Sequence, residues 1–379
     1  VEFLTKYFLV TGAAGLCLLS CGPPKPINLE DFADYCTIIS RHSPSAGLSE
    51  TDTVRHIIPQ LLWKRDLRYS IFLDPSINLG FLFIPVPDNK LYLISAKDGS
   101  DYAEIKFRGP IMAPVIVADS LAILNIGGKK LLVENWVTQK TIWEAELEGD
   151  FTKPSIVDGM LFWLDAMNYM RCFDVVEGKR IWDMKLSRPA YTVLEADSLG
   201  AVVFADDGLI ECYDPKTGVR LWSFDAGTRI KSAPAVSGDR LILATVDGTV
   251  ACLNMKNGEL EWMREMRSAV LGSLAADAIG VYLGTNDRFL KKLDLLTGEV
   301  VWEIKTDGPI KAGPGLTDDL AIFASLDHKV YFVDKLTGKT VLAYETGGML
   351  TTKPVVCGNR VFIAGEDEFL YCFGLQETK

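Results

Sequence analysis

Residues 233–262 read APAVSGDRLILATVDGTVACLNMKNGELEW, and this stretch decides the fold. Apolar or β-branched runs (Ala235-Val236, Arg240 to Thr245, Thr249 to Leu253, Glu259 to Trp262) are separated by Ser237-Gly238-Asp239, Val246-Asp247-Gly248 and Asn254-Met255-Lys256-Asn257-Gly258. Short runs of this composition bounded by turn residues are strands. Asp-Gly between two apolar runs is a hairpin signal, because the turn needs a positive φ that glycine adopts without steric cost. The longer third turn opens on a side-chain acceptor and closes on glycine, which makes a bulged reversal. The stretch is therefore one four-stranded antiparallel sheet.

Its last residue belongs to a column. Trp63, Ala103, Trp143, Trp182, Trp222, Trp262, Trp302 and Leu342 follow one another at 40 residues, once at 39. Glycine stands four residues before the slot at Gly99, Gly178, Gly218, Gly258, Gly298 and Gly338, with Gln139 the exception. Aspartate marks the middle turn at Asp207, Asp247, Asp287, Asp327 and Asp367, and proline the start of the first strand at Pro114, Pro154, Pro234, Pro314 and Pro354, where a missing amide donor is tolerated. Such a period means an array of like units.

Four-stranded antiparallel sheets repeated radially make a β-propeller. The tryptophans Trp63, Trp143, Trp182, Trp222, Trp262 and Trp302 are expected to pack blade against blade, each burying about 150 to 250 Å². Trp63 lies on a strand with no three strands before it, and the residues after Leu342 supply three strands with no fourth. The reading is therefore an all-β, eight-bladed propeller over residues 61–379, its ring closed by the N- and C-terminal strands. The alternative is seven blades and a stray strand.

The 379 residues carry a net charge of −11, which argues against nonspecific nucleic-acid binding. Behind Lys6, the segment Tyr7 to Leu19 is apolar, too short to span a bilayer and of the length of an export-signal core. It ends in Leu18-Leu19-Ser20-Cys21, followed by Gly22 and a proline-rich run. This tetrad resembles the bacterial lipobox, which implies a signal peptide over 1–20, lipidation of Cys21, and a tether over 21–60. Gly22 after the cysteine resembles lipoproteins sorted to the outer membrane. An ordinary signal peptide containing a cysteine is the plainer alternative.

Cys172, Cys212, Cys252 and Cys372 share one slot of the repeat, with Lys292 its misfit. Equivalent atoms of neighbouring blades lie on the order of 10 Å apart, too far for disulfides, which need Cα atoms within about 7 Å. These cysteines read as small buried apolar residues, and Cys36 and Cys357 are left unassigned. His42, His56 and His328 are scattered, with no Cys/His cluster at metal-ligand spacing. No residue is nominated as catalytic, and no metal or cofactor is expected.

The unit Asp-x-x-(Thr/Asn)-Gly-x-x-x-Trp, seen from Asp214 to Trp222, resembles the pyrroloquinoline-quinone-type propeller repeat. Eight such units behind a lipobox resemble the BamB family of outer-membrane assembly lipoproteins. That resemblance implies a non-catalytic scaffold, lipid-anchored on the periplasmic face of the outer membrane, which docks the barrel-forming BamA subunit. The family's contact loop corresponds to the stretch holding Tyr191, Val193 and Leu194, although Leu194 stands where arginine is expected. The plainer reading makes this stretch an inner strand without its proline. Trp136, in a turn where other units carry smaller or flexible residues, is either an exposed interface anchor or packed on the neighbouring blade.

Two further classes remain. A quinone-dependent dehydrogenase shares the repeat, but in that family long insertions build a lid, and intervals of 39 or 40 leave no room for one. A basic rim of Lys153, Lys231, Lys311, Lys353, Arg108, Arg188, Arg229 and Arg267 could bind an anion, unless it is ordinary solvated charge.

Overall fold

The computed structural model describes residues 56–146, 154–196 and 199–378, with 56, 191–196 and 378 described by backbone alone. The described strands form eight four-stranded antiparallel sheets. In blade five they are Ala235–Ser237, Arg240–Ala244, Thr249–Asn254 and Leu260–Glu265, which are the four strands read from the quoted stretch. Blades one to four span 76–106, 116–146, 155–185 and 190–225, and blades six and seven span 275–305 and 315–345. The innermost strands are two or three residues long in every blade but the fourth, where Ala190–Ala196 has seven. Short inner strands suit a ring whose circumference shrinks toward its axis.

Blade eight is built from both chain ends. Its order is His56–Asp66, Phe369–Thr378, Arg360–Ala364, Val355–Cys357, with Trp63 opposite Cys372 and Lys64 opposite Tyr371. The ends close the ring as the slot count requires. The outer strand begins at His56, ahead of the expected boundary at 61, because the last strand runs on to Thr378 and offers it partners as far as that residue.

The tryptophan column is a repeated dock between blades. Trp262 donates its indole N–H to the Leu295 carbonyl in the third turn of the next blade at 2.9 Å. Trp143, Trp182, Trp222 and Trp302 bond in the same way to the carbonyls of Val175, Pro215, Met255 and Lys335, at 2.9, 2.9, 2.7 and 3.1 Å. Gly298 closes that next turn at φ +70°, and a Cβ placed there would lie 2.4 Å from the Trp262 ring. Two constraints therefore select glycine at one position: backbone conformation and the ring above it. The glycine column belongs to the tryptophan of the preceding blade. Trp63 lies on Gly99 in the same manner, although its indole N–H finds no acceptor.

Both exceptions to the column follow from this dock. Leu342 faces blade eight, whose outer strand comes from the other end of the chain, so no third turn exists there to receive an indole. It packs instead in the cluster of Phe332, Phe373, Ile57 and Leu61. At the first seam the slot is Ala103, and the ring arrives from the opposite side. Trp136 of blade two is 1% exposed, lies 5.7 and 5.2 Å from the rings of Phe81 and Phe83, and donates to the Asp119 carbonyl at 2.9 Å. With no indole at 103, the turn position taken by glycine elsewhere accommodates Gln139 at φ 53°. Trp136 is thus a packing residue, and the expectation of an exposed anchor is corrected: it fills the wedge that Ala103 leaves empty.

The cysteine slot lies directly inside the tryptophan, Cys252 pairing with Trp262 on one side and Ile242 on the other. Cys172, Cys212, Cys252 and Cys372 are free and fully buried, and burial pushes each thiol up to about 12. A raised thiol pKa favours the fold below the unfolded value near 9, and that advantage is lost as pH climbs from 9 toward 12. The unfolded chain sheds these protons first, so each thiol removes up to about 1.4 kcal/mol per pH unit in that window. The denaturation midpoint is expected to hold to pH 8.5 and to fall steeply by 10.5. Replacing the four cysteines with valine should flatten the part of the fall that begins near 9. Equal midpoints at the two pH values would refute the account.

Lys292, the misfit of this slot, is resolved by a reach across the seam. Its ammonium donates to the Lys335 carbonyl at 2.9 Å, while the buried Lys335 ammonium pairs with Asp277 at 2.7 Å. Desolvation lowers the Lys292 pKa, with the Asp277 carboxylate opposing that shift.

Candidate interaction face

The hairpin geometry gives the ring two unlike faces. First and third turns share one, as shown by Met255 N–H donating to the Asp239 carbonyl at 2.7 Å. Middle turns and the loops from blade to blade share the other, where Val246 N–H donates to the Arg229 carbonyl and Met266 N–H to Gly248, both at 2.8 Å.

The aspartates of the middle turns tie those loops down. Asp327 accepts the Asp307 and Gly308 amides at 3.0 and 3.2 Å and the Tyr331 hydroxyl at 2.8 Å. Asp367 accepts the Gly347 amide at 2.8 Å and the Tyr371 hydroxyl. The Leu209 amide and Arg188 hold the Asp207 carboxyl below its usual range, and the Thr245 hydroxyl does the same for Asp247. The carboxylates of Asp327 and Asp367 are engaged by tyrosine hydroxyls and loop amides, so they do not fit a cation-binding ring for a quinone cofactor and its metal. Among the described residues no three His, Cys, Asp or Glu side chains are grouped to hold a metal ion.

Each loop sinks one apolar anchor, among them Ile71, Ile111, Ile230, Val270, Ile310 and Leu350, all buried. The residue that follows stands outward after all of these anchors but Leu350, where Thr351 is half-buried, and its chemistry changes around the ring, with Leu271 on blade six between two lysines. It is Phe72 on blade one, 62% exposed, and Met112 on blade two, 54% exposed, but Lys231 and Lys311, both exposed, on blades five and seven. Met349 and Met167, on blades eight and three, extend the apolar arc. Of the expected basic rim, Arg188 pairs with Asp207 and Arg229 with Asp206, the Lys353 amide donates to Asp74 at 2.8 Å, Arg108 and Arg267 are exposed, and Lys153 lies outside the described residues. The rim is thus partly neutralised by its own acids.

Tyr191, Val193 and Leu194 lie on the inner strand Ala190–Ala196, where Val193 pairs with Val203 and Leu194 with Val202. By repeat count Tyr191 shares its column with Phe72, Met112 and Lys231. Cys21 and the segment around it lie outside the described residues. The apolar arc was not read from the sequence, although its signal was present as the residue after each loop anchor.

The inner strands of blades five, six, seven and eight, with Asp74 and Pro75 ahead of blade one's, line a central cavity of about 490 Å³, bounded by Pro75, Pro234, Pro314 and Pro354, with Asp74 and Lys353 at its wall. Prolines and small apolar residues offer shape but few polar handles.

Residues 206–378, from the middle turn of blade four to the closing strand, match the family model described as outer membrane protein assembly factor BamB. No curated protein matches the chain in sequence. Among solved structures, BamB from Moraxella catarrhalis superposes with a TM-score of 0.70 at 19% identity, over 85% of this chain and 99% of that one. The computationally designed Ika8 protein gives 0.72 at 16%, over 82% and 98%. A europium-containing methanol dehydrogenase gives 0.66 at 12%, over 83% and 93%. The chain is similar to BamB and carries the PQQ-type repeat, whereas at these identities the structural likenesses speak for the fold alone.

Proposed function

We propose that this chain is a lipid-anchored periplasmic scaffold, BamB-like, that assists the assembly of outer-membrane β-barrel proteins by binding a BamA-like barrel-forming subunit. The match of residues 206–378 to the BamB family model carries this reading. The anchor is Cys21, and the location is the periplasmic face of the outer membrane. Docking uses the face of the blade-to-blade loops, where Phe72 and Met112 offer apolar surface, together with the blade-four strand that carries Tyr191, Val193 and Leu194. Exposed aromatic and methionine side chains are the residues that interfaces favour.

The test is affinity purification of the tagged full chain from detergent-solubilised envelopes. Recovery of the barrel-forming assembly subunit is expected, with at least a tenfold drop for Phe72→Asp or Tyr191→Asp in variants whose melting is unchanged. The resemblance of the Asp214–Trp222 unit to the pyrroloquinoline-quinone-type repeat supports a second reading, a quinone-binding envelope propeller. Purified chain that carries a quinone chromophore and recovers no assembly subunit would establish that reading instead.

A further inference from the structure

We infer that the docked protein is acidic at its contact, presenting carboxylates to Lys231 and Lys311 on one side of the channel mouth and apolar side chains to Phe72 and Met112 on the other. The inference rests on the docking face proposed above.

These four residues hold one position of the repeat, the one that follows each loop anchor. For three of them the neighbours on both sides are buried: Ile111 and Ala113 flank Met112, Ile230 and Ser232 flank Lys231, and Ile310 and Ala312 flank Lys311. The two lysine loops are also tied to the middle turns, where Val246 N–H donates to the Arg229 carbonyl at 2.8 Å and Leu326 N–H to the Pro309 carbonyl at 3.1 Å. A backbone fixed in this way loses little further freedom when a partner arrives. Blades one and five lie four apart in a ring of eight, so the Phe72 and Lys231 positions oppose each other across the axis.

Charge decides what kind of partner fits. Arg188 and Arg229 are already paired with Asp207 and Asp206, whereas among the described residues neither Lys231 nor Lys311 has an ion-pair partner. Two acids of the same sector are engaged: Asp307 pairs with Lys329 at 2.9 Å, and Asp247 accepts from the Thr245 hydroxyl and the Thr249 amide. Exposed Asp287 and Glu265 stand on a middle turn and at the end of an outer strand, further from the axis. Two unpaired cations therefore mark the inner edge of a chain whose net charge is −11.

A carboxylate set on either lysine is attracted, and one set toward the outer acids is repelled, so the pattern selects register as well as partner. An anionic bilayer has no such choice. Its charge is spread over a plane and meets the exposed Asp287 and Glu368 along with the lysines. A protein surface can put its charges at two points and its apolar groups at two others.

The test is zero-length cross-linking of the tagged full chain in detergent-solubilised envelopes with a water-soluble carbodiimide, which joins an amine to a carboxylate only where the two touch. Amide links from Lys231 or Lys311 to Asp or Glu of the barrel-forming subunit are expected on peptide mapping. Lys231→Glu combined with Lys311→Glu should lower recovery of that subunit about tenfold in low salt with melting unchanged, whereas Lys231→Arg combined with Lys311→Arg should keep it. Raising NaCl to about 0.5 M should weaken the parent and narrow that gap, because exposed charge pairs are screened. Phe72→Asp should lose the subunit at either salt. Equal recovery by the double glutamate variant, with links only from other lysines, overturns the inference and leaves the scaffold reading standing. A parent that recovers no assembly subunit overturns both. Equal recovery, together with flotation on phosphatidylglycerol vesicles that the parent shows and the glutamate variant lacks, assigns the lysines to a membrane surface and overturns the inference.

Discussion

Deleting residues 56–66 is expected to abolish the folded state, and deleting 369–378 to do the same. Without its outer strand, blade eight loses the partner of Phe369–Thr378 along its whole length and leaves that edge unpaired. It also loses Trp63 from the cluster in which Leu82, Ile94, Phe362 and Cys372 meet, where its ring closes the seam over Gly99. On the other seam Ile57 and Leu61 leave the cluster of Phe332, Phe373 and Leu342. Burying several large apolar groups contributes about 1.5 to 3 kcal/mol each, a sum comparable with the roughly 5 to 15 kcal/mol that holds a domain folded. An opened ring also exposes strand edges, which invite pairing between chains. The truncated chains should therefore lack a cooperative thermal transition and sediment as aggregates. Either truncation melting cooperatively within a few degrees of the full chain would show that closure does not hold the ring.

The blades were legible because one environment recurs. A tryptophan that meets the same carbonyl and the same glycine in blade after blade leaves a column at 40 residues, and strand count, turn chemistry and ring closure follow from that column. Substitutions compensated across a seam were not legible. Ala103, Trp136 and Gln139 are three departures in three different columns, and only the contact between blades one and two shows them to be one event. Lys292 is a misfit until Lys335 and Asp277 of the neighbouring turns are brought beside it. The interaction face was harder still. Strand periodicity reports what is buried, whereas Phe72 and Met112 are exposed loop residues whose meaning depends on the ring setting them side by side.

Trp136→Ala is expected to destabilise the chain by about 3 to 5 kcal/mol, the range for emptying a fully buried large aromatic site. The indole meets Phe81 and Phe83, and its N–H satisfies the Asp119 carbonyl, so truncation opens a cavity and strands an acceptor together. If one wedge holds one indole from either side, Ala103→Trp alone should also destabilise, because two rings would compete for a packed space. Combining Ala103→Trp with Trp136→Val and Gln139→Gly rebuilds the dock that Trp143 makes with Val175 and Gly178 at a neighbouring seam. This triple variant should recover most of the loss, a coupling far from additive. Denaturant midpoints of the parent, each single variant and the triple variant measure it. Additive losses in the triple variant would mean that Trp136 packs for local reasons and that the absence of tryptophan at 103 is unrelated to it.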